Sequence, residues 1–131
     1  MANVFQRFRD YLMLRTAVRK ADAAHCSNAE RYYVVAGDRG NLIVMNRREF
    51  RKFKQKGYIS RKAFVDDLII ESFYFTPYRN ESGQITDALR QRKIAAFYAY
   101  RDAWRRKRKE SRIRARAAKA KAKENKKGGR P

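Results

Sequence analysis

From Trp104 onward the chain reads WRRKRKESRIRARAAKAKAKENKK, and a helix written over that stretch carries positive charge on nearly every face. Ile113 is the one sizeable apolar side chain after Trp104, so this segment has nothing to bury. Alanines at 115, 117, 118, 120 and 122 keep helix propensity high, while like charges at three- and four-residue spacing oppose a free helix. The expectation is an extension over 105–131 that is disordered, or helical only when bound to a polyanion. The fold is thereby confined to a small body over 1–104.

The charge follows the same division. Residues 101–131 hold fifteen Lys and Arg against three Asp and Glu, net +12, out of +21 for the whole chain. Self-repulsion of that size is relieved by a polyanion. DNA and RNA are the favoured partners and a membrane surface the disfavoured one; protein subunits of a larger assembly are a further option. In composition the extension resembles the basic extensions of ribosomal proteins and linker-histone tails, with no motif that names a family.

Apolar residues make up 44% of the chain and aromatics 13%, enough for one core. Cys26 and His25 are the only residues of their kinds, which excludes an internal disulfide and any zinc site with two Cys ligands. A reducing, intracellular setting is expected, in cytoplasm or nucleoid, with a virion interior as a variant. No apolar run reaches the roughly 18–20 residues of a membrane span. The opening MANVFQRFRDYLMLR lacks the apolar core of a secretory signal. Its Arg-rich amphipathic character is shared with transit peptides, but the aromatic stripe favours a packed helix.

The body reads as a mostly helical α+β domain: an N-terminal helix, a β-hairpin, a short basic helix and a long C-terminal helix running into the cationic tail. Over residues 3–21, Val4, Phe8, Tyr11, Leu12, Arg15 and Val18 fall near one face, the expected packing face. The pattern weakens through Ala21–Glu30, which reads as helix end and loop. Tyr32–Ala36 and Leu42–Met45 are β-branched and aromatic runs joined by Gly37-Asp38-Arg39-Gly40-Asn41, the pattern of a hairpin. Asn46 caps a helix through Lys56 with Glu49 in capping-box position, and Gly57 ends it. Ser60 is placed to cap a helix over 62–72 with Phe64, Leu68, Ser72 and Phe75 on one face; Leu68–Phe75 also has the apolar density of a strand, and both readings stay open. Thr76-Pro77 ends that element, Pro77–Gly83 is a loop, and the last helix begins at Thr86 and Asp87. Gly128-Gly129-Arg130-Pro131 cannot continue it.

Two basic tracts are the candidate nucleic-acid contacts. Arg47–Lys62 has eight Lys or Arg and one Glu, net +7. With Phe50 and Phe53 turned inward, Arg47, Arg48, Arg51, Lys52 and Lys56 face solvent, and Arg61 and Lys62 follow. The second tract comprises Arg101, Trp104, Arg105, Arg106, Lys107, Arg108, Lys109, Arg112, Arg114 and Arg116. Such cations contact phosphates through counterion release, with little sequence discrimination. Most aromatics read as core or rim; Tyr78 and Trp104 are the best placed to stack on unpaired bases. No helix-turn-helix, homeodomain or zinc-finger spacing is present.

No catalytic site is legible, and no cofactor or metal is expected. Asp66, Asp67 and Glu71 are the only acidic cluster and are expected to pair with neighbouring cations. His25 beside Cys26 makes neither a metal site nor a dyad. The Gly37–Gly40 turn lacks the Lys and Ser/Thr of a nucleotide-binding loop. The expected function is an accessory or structural nucleic-acid-binding protein. Its alternatives are a structural subunit of a ribosome or virion, and a metal-independent ribonuclease of toxin type.

Overall fold

The computed structural model describes residues 2–60 and 62–128. Its elements are α1 (Val4–Asn28), β1 (Tyr32–Ala36), β2 (Leu42–Asn46), α2 (Arg47–Gln55), α3 (Val65–Glu71), β3 (Tyr74–Phe75) and α4 (Asp87–Gly128). The fold is α+β, with a three-stranded antiparallel sheet in the order β2-β1-β3.

β1 is the centre of the sheet, and its alternation sorts the core. Val34 lies opposite Val44 on one side and Tyr74 on the other; Tyr33 lies opposite Met45 and Phe75. Successive side chains on a strand point to opposite faces, so Tyr32, Val34 and Tyr74 meet α1 through Ala17 and Ala21. Tyr33, Met45 and Phe75 meet α2 and α3 through Phe50 and Leu68. A third cluster, Leu14, Phe73 and Phe97, ties α4 to α1 at the end of the sheet. Lys93 of α4 is buried and its Nζ donates to the carbonyls of Ile69 (2.7 Å) and Ser72 (2.5 Å), satisfying the C-terminal end of α3. Burial holds its pKa below the ordinary lysine value.

Local chemistry explains the element ends. Asn3 and Gln6 form a reciprocal capping box at the start of α1. Ala29, in the left-handed region at φ 62°, closes the other end by donating to the His25 carbonyl. The side chain of Asn46 caps α2 by accepting from the Glu49 amide at 2.9 Å. Between β1 and β2 the chain makes a tight turn, where Gly40 has φ +76°. A Cβ there would stand 2.6 Å from Trp104 Cδ2, so only glycine lets the turn sit under that ring.

Three expectations are corrected. First, α1 does not stop near residue 21 but runs to Asn28, because Ala21 and His25 continue its buried face on the sheet. Second, that buried face is Asp10, Leu14, Ala17, Ala21 and His25, while Val4, Phe8, Tyr11, Leu12 and Arg15 are exposed. Small alanines bring the helix close to the sheet, and Asp10 anchors it by ion pairs; the aromatic stripe is turned away. Third, residues 62–72 are not one helix: α3 starts at Val65, with Asp67 Oδ2 accepting from the Phe64 amide at 2.8 Å, and β3 follows directly. Ser60 instead makes a turn with Lys62 and Ala63. Beyond Trp104, α4 continues without a break to Gly128. A helix already nucleated over residues 87–105 propagates into alanine-rich sequence without a second nucleation cost. Of the C-terminal glycine segment, 129–131 lies outside the described residues.

Candidate nucleic-acid interface

The first basic tract forms one wall of a groove. α2 contributes Arg47, Arg48, Arg51 and Lys52 to it, the connector Ala29–Arg31 a second part of its lining, and Tyr78 and Arg79 a third. Its volume is about 510 Å³. Six cations line it, Arg31, Arg47, Arg48, Arg51, Lys52 and Arg79, against Glu30 as the single acid. Glu30 is already engaged, accepting from Asn46 Nδ2 at 2.6 Å and lying 3.6 Å from Arg48. Phe50, buried on the core side of α2, fixes which residues of that helix face the groove. Lys56 and Lys62 are exposed but do not line the groove, and Arg61 lies outside the described residues.

Tyr78 and Arg79 are held by a network around buried Arg31. The Arg31 guanidinium stacks 4.0 Å from the Tyr78 ring centre and 4.4 Å from that of Phe75. Its Nε donates to the Thr76 carbonyl at 2.8 Å and its Nη2 to the Gly83 carbonyl. Stacking on Arg31 leaves Tyr78 37% exposed, available to a ligand in the groove. Arg79 had no signal in the sequence beyond its position beside Tyr78 in a polar loop.

His25 closes the same loop onto α1. Its Nδ1 lies 2.7 Å from the Glu30 carbonyl and its Nε2 2.9 Å from a Glu81 carboxylate oxygen. The hydrogen bond to Glu30 raises its pKa above the ordinary 6.5; burial opposes this and Glu81 reinforces it. The charged form is therefore favoured on folding. Its contribution is complete below pH 6.5 and is lost as pH rises through the raised folded value. Because Glu81 is largely exposed, the effect is a fraction of a kcal/mol to about 1 kcal/mol. The melting-temperature advantage of the wild type over His25→Gln should be constant below about pH 6.5 and shrink as pH rises above it. A difference that stays constant through that rise would contradict this assignment.

The second tract is divided by the structure. Arg101 is buried, donating from Nε to Asp10 Oδ1 at 2.9 Å and from Nη1 to the Gly40 carbonyl at 2.7 Å. Arg105 donates to both carboxylate oxygens of Asp10 and to the Gln6 carbonyl. Asp10 itself is fully buried. Burial pushes its carboxyl pKa up, but the hydrogen bonds and charges of Arg105 and Arg101 outweigh this and hold it below the ordinary value. Arg101 and Arg105 thus clasp α4 to α1 and are not free for phosphate. Trp104 is partly buried over Gly40, with the Arg101 and Arg108 guanidinium groups 4.7 and 5.3 Å from its ring, so it too belongs to the body. Arg106, Lys107, Arg108, Lys109, Arg112, Arg114 and Arg116 are exposed, as is every residue from Arg106 to Lys126.

Asp66, Asp67 and Glu71 make no ion pair among the described residues; Asp67 caps α3 instead. Among those residues no three His, Cys, Asp or Glu side chains gather to hold a metal ion. No described helix is long and apolar enough to cross a membrane. No protein-family model, curated protein or solved structure matches the chain.

Proposed function

We propose that this protein binds nucleic acid through its phosphate backbone, with the α2 groove orienting the strand and the α4 arm supplying most of the affinity. The observation that carries the reading is the convergence of five exposed cations, from α2 and the 77–83 loop, on one groove whose single acid among the described residues is already paired. A solvated helix face mixes acids with bases; a concave surface of one sign concentrates an anionic ligand. Guanidinium groups suit the task because their planar fork takes two phosphate oxygens at once. Tyr78 at the groove edge offers a ring to an unpaired base, which favours single-stranded or frayed segments there. The arm spreads Lys and Arg over nearly every face of its helix, which suits contact with the phosphate backbone rather than ordered base contacts, so discrimination between sequences is low.

The test is a titration of the full chain into labelled duplex DNA, duplex RNA and single strands over a salt series. With about eight phosphates neutralised on duplex DNA, the log–log slope is near −7. The double variant Arg47→Glu, Arg51→Glu should weaken binding to every ligand and flatten the slope by about two. No binding of the full chain at about 150 mM salt, where non-specific complexes of this kind still form, would refute the reading.

A further inference from the structure

We propose that the outer face of α1 docks on an anionic phospholipid surface. Val4, Phe5, Phe8, Tyr11 and Leu12 are 82, 80, 59, 47 and 40% exposed, and they share one stripe over the first turns of the helix. The opposite face of α1 is committed to Asp10, Leu14, Ala17 and Ala21, so the helix cannot rotate to hide the stripe. Five neighbouring apolar side chains in water mark a surface that meets an apolar phase.

Charge selects the occupant. Arg9, Arg15, Arg19 and Lys20 are exposed beside and beyond the stripe, and the only acid between residues 4 and 20 is the buried, paired Asp10. The accessible surface of this stretch of helix therefore carries apolar and cationic side chains and no exposed acid. Long Arg and Lys stems can lie along an apolar surface while their charged ends stay among phosphates. An amphipathic helix with aromatic and aliphatic residues on one side and cations around them lies in the interfacial plane of an anionic bilayer. A second copy would bring the same four cations against the same stripe, with +21 on each chain. Stacking on bases accounts for Phe5, Phe8 and Tyr11 but not for Val4 and Leu12.

The arm strengthens the choice. Arg105 Nη2 donates to the Gln6 carbonyl at 3.2 Å, so α4 leaves the body beside the first turns of α1. Its exposed cations then start at the same end of the body as the stripe, across α1 from it, and add longer-range attraction to an anionic leaflet. The groove lies past the other end of α1, about 30 Å away at 1.5 Å per residue, so a strand in the groove leaves the stripe free. The inference rests on the stripe and not on the nucleic-acid reading.

Flotation of the full chain with phosphatidylcholine vesicles, with and without about one-third phosphatidylglycerol, tests it. The wild type should float with the anionic vesicles and not with phosphatidylcholine alone. The double variant Phe5→Ser, Phe8→Ser should lose about tenfold or more in vesicle affinity, with melting temperature and nucleic-acid binding unchanged. The variant Phe5→Leu, Phe8→Leu keeps the apolar area and should stay within about threefold of the wild type. Equal binding by wild type and serine variant would assign the effect to the arm alone and overturn the inference, as would no flotation at all. A wild-type dimer that the serine variant dissolves would identify a second copy as the occupant instead. Loss of single-strand binding in both variants would identify bases. Arg47→Glu, Arg51→Glu should leave vesicle binding in place, so failure of the groove reading and failure of this one remain separable.

Discussion

Alanine at position 10 should destabilise the body by about 3–5 kcal/mol, because it strands a buried charge. Asp10 is fully buried and receives hydrogen bonds from both Arg101 and Arg105. Arg101 is itself buried and anchored to the Gly40 carbonyl, so its guanidinium cannot swing out to water when the carboxylate is removed. The loss would reach three elements at once: α1, α4 and the turn under Trp104. Asp10→Asn should recover little, since the amide restores shape and some hydrogen bonding but not the charge. Urea unfolding at neutral pH measures the difference. A cost below about 1 kcal/mol, the range of an exposed pair, would mean the clasp is solvated. The pH dependence has a definite sign. A carboxyl held below the ordinary 3.8 contributes stability above that pH and loses it as pH falls through the lower folded value. The wild type should lose stability on acidification below about pH 4, and Asp10→Ala should lack that component.

A chain ending at Arg106 should lose a hundredfold or more in affinity for duplex DNA at about 100 mM salt, with the log–log slope moving from near −7 toward about −2. The truncation removes twelve of the 34 Lys and Arg while leaving Arg101 and Arg105 on Asp10. Ending the chain at Trp104, the boundary drawn from the sequence, would instead break the clasp and confuse unfolding with loss of binding. The removed residues through Lys126 are exposed, so melting temperature should hardly change. If the slope stays near its full-length value, the groove is the main phosphate clamp and the arm an accessory.

Much of the fold was legible. The two apolar runs around Gly37–Gly40 form the hairpin, and the side chain of Asn46 caps α2 as its spacing with Glu49 implied. Both are local: a turn and a cap depend on residues within a few positions of each other. The outward placement of Arg47, Arg48, Arg51 and Lys52 likewise follows from the spacing of Phe50 within one short helix.

What failed to read depended on distant partners. The face of α1 was misassigned because periodicity ranks side chains by hydrophobicity, and the actual packing face centres on Asp10 and two alanines. A carboxylate counts as solvent-facing until Arg101 and Arg105, more than ninety residues away, neutralise it. The same pairing engages two of the candidate arginines, Arg101 and Arg105, within the body. Arg79 joined the groove only because Arg31, stacked on Tyr78, holds the 77–83 loop against the connector after α1.

The sequence alone thus determined the charge, its concentration at the C-terminal end, the absence of anything to bury there, and the local turns and caps. Those depend on composition and on contacts between near neighbours. Only the tertiary structure decided which cations are free, which are spent on Asp10, and that an apolar stripe of α1 faces water. Each of those outcomes turns on pairing and burial between residues that meet only when the chain has folded.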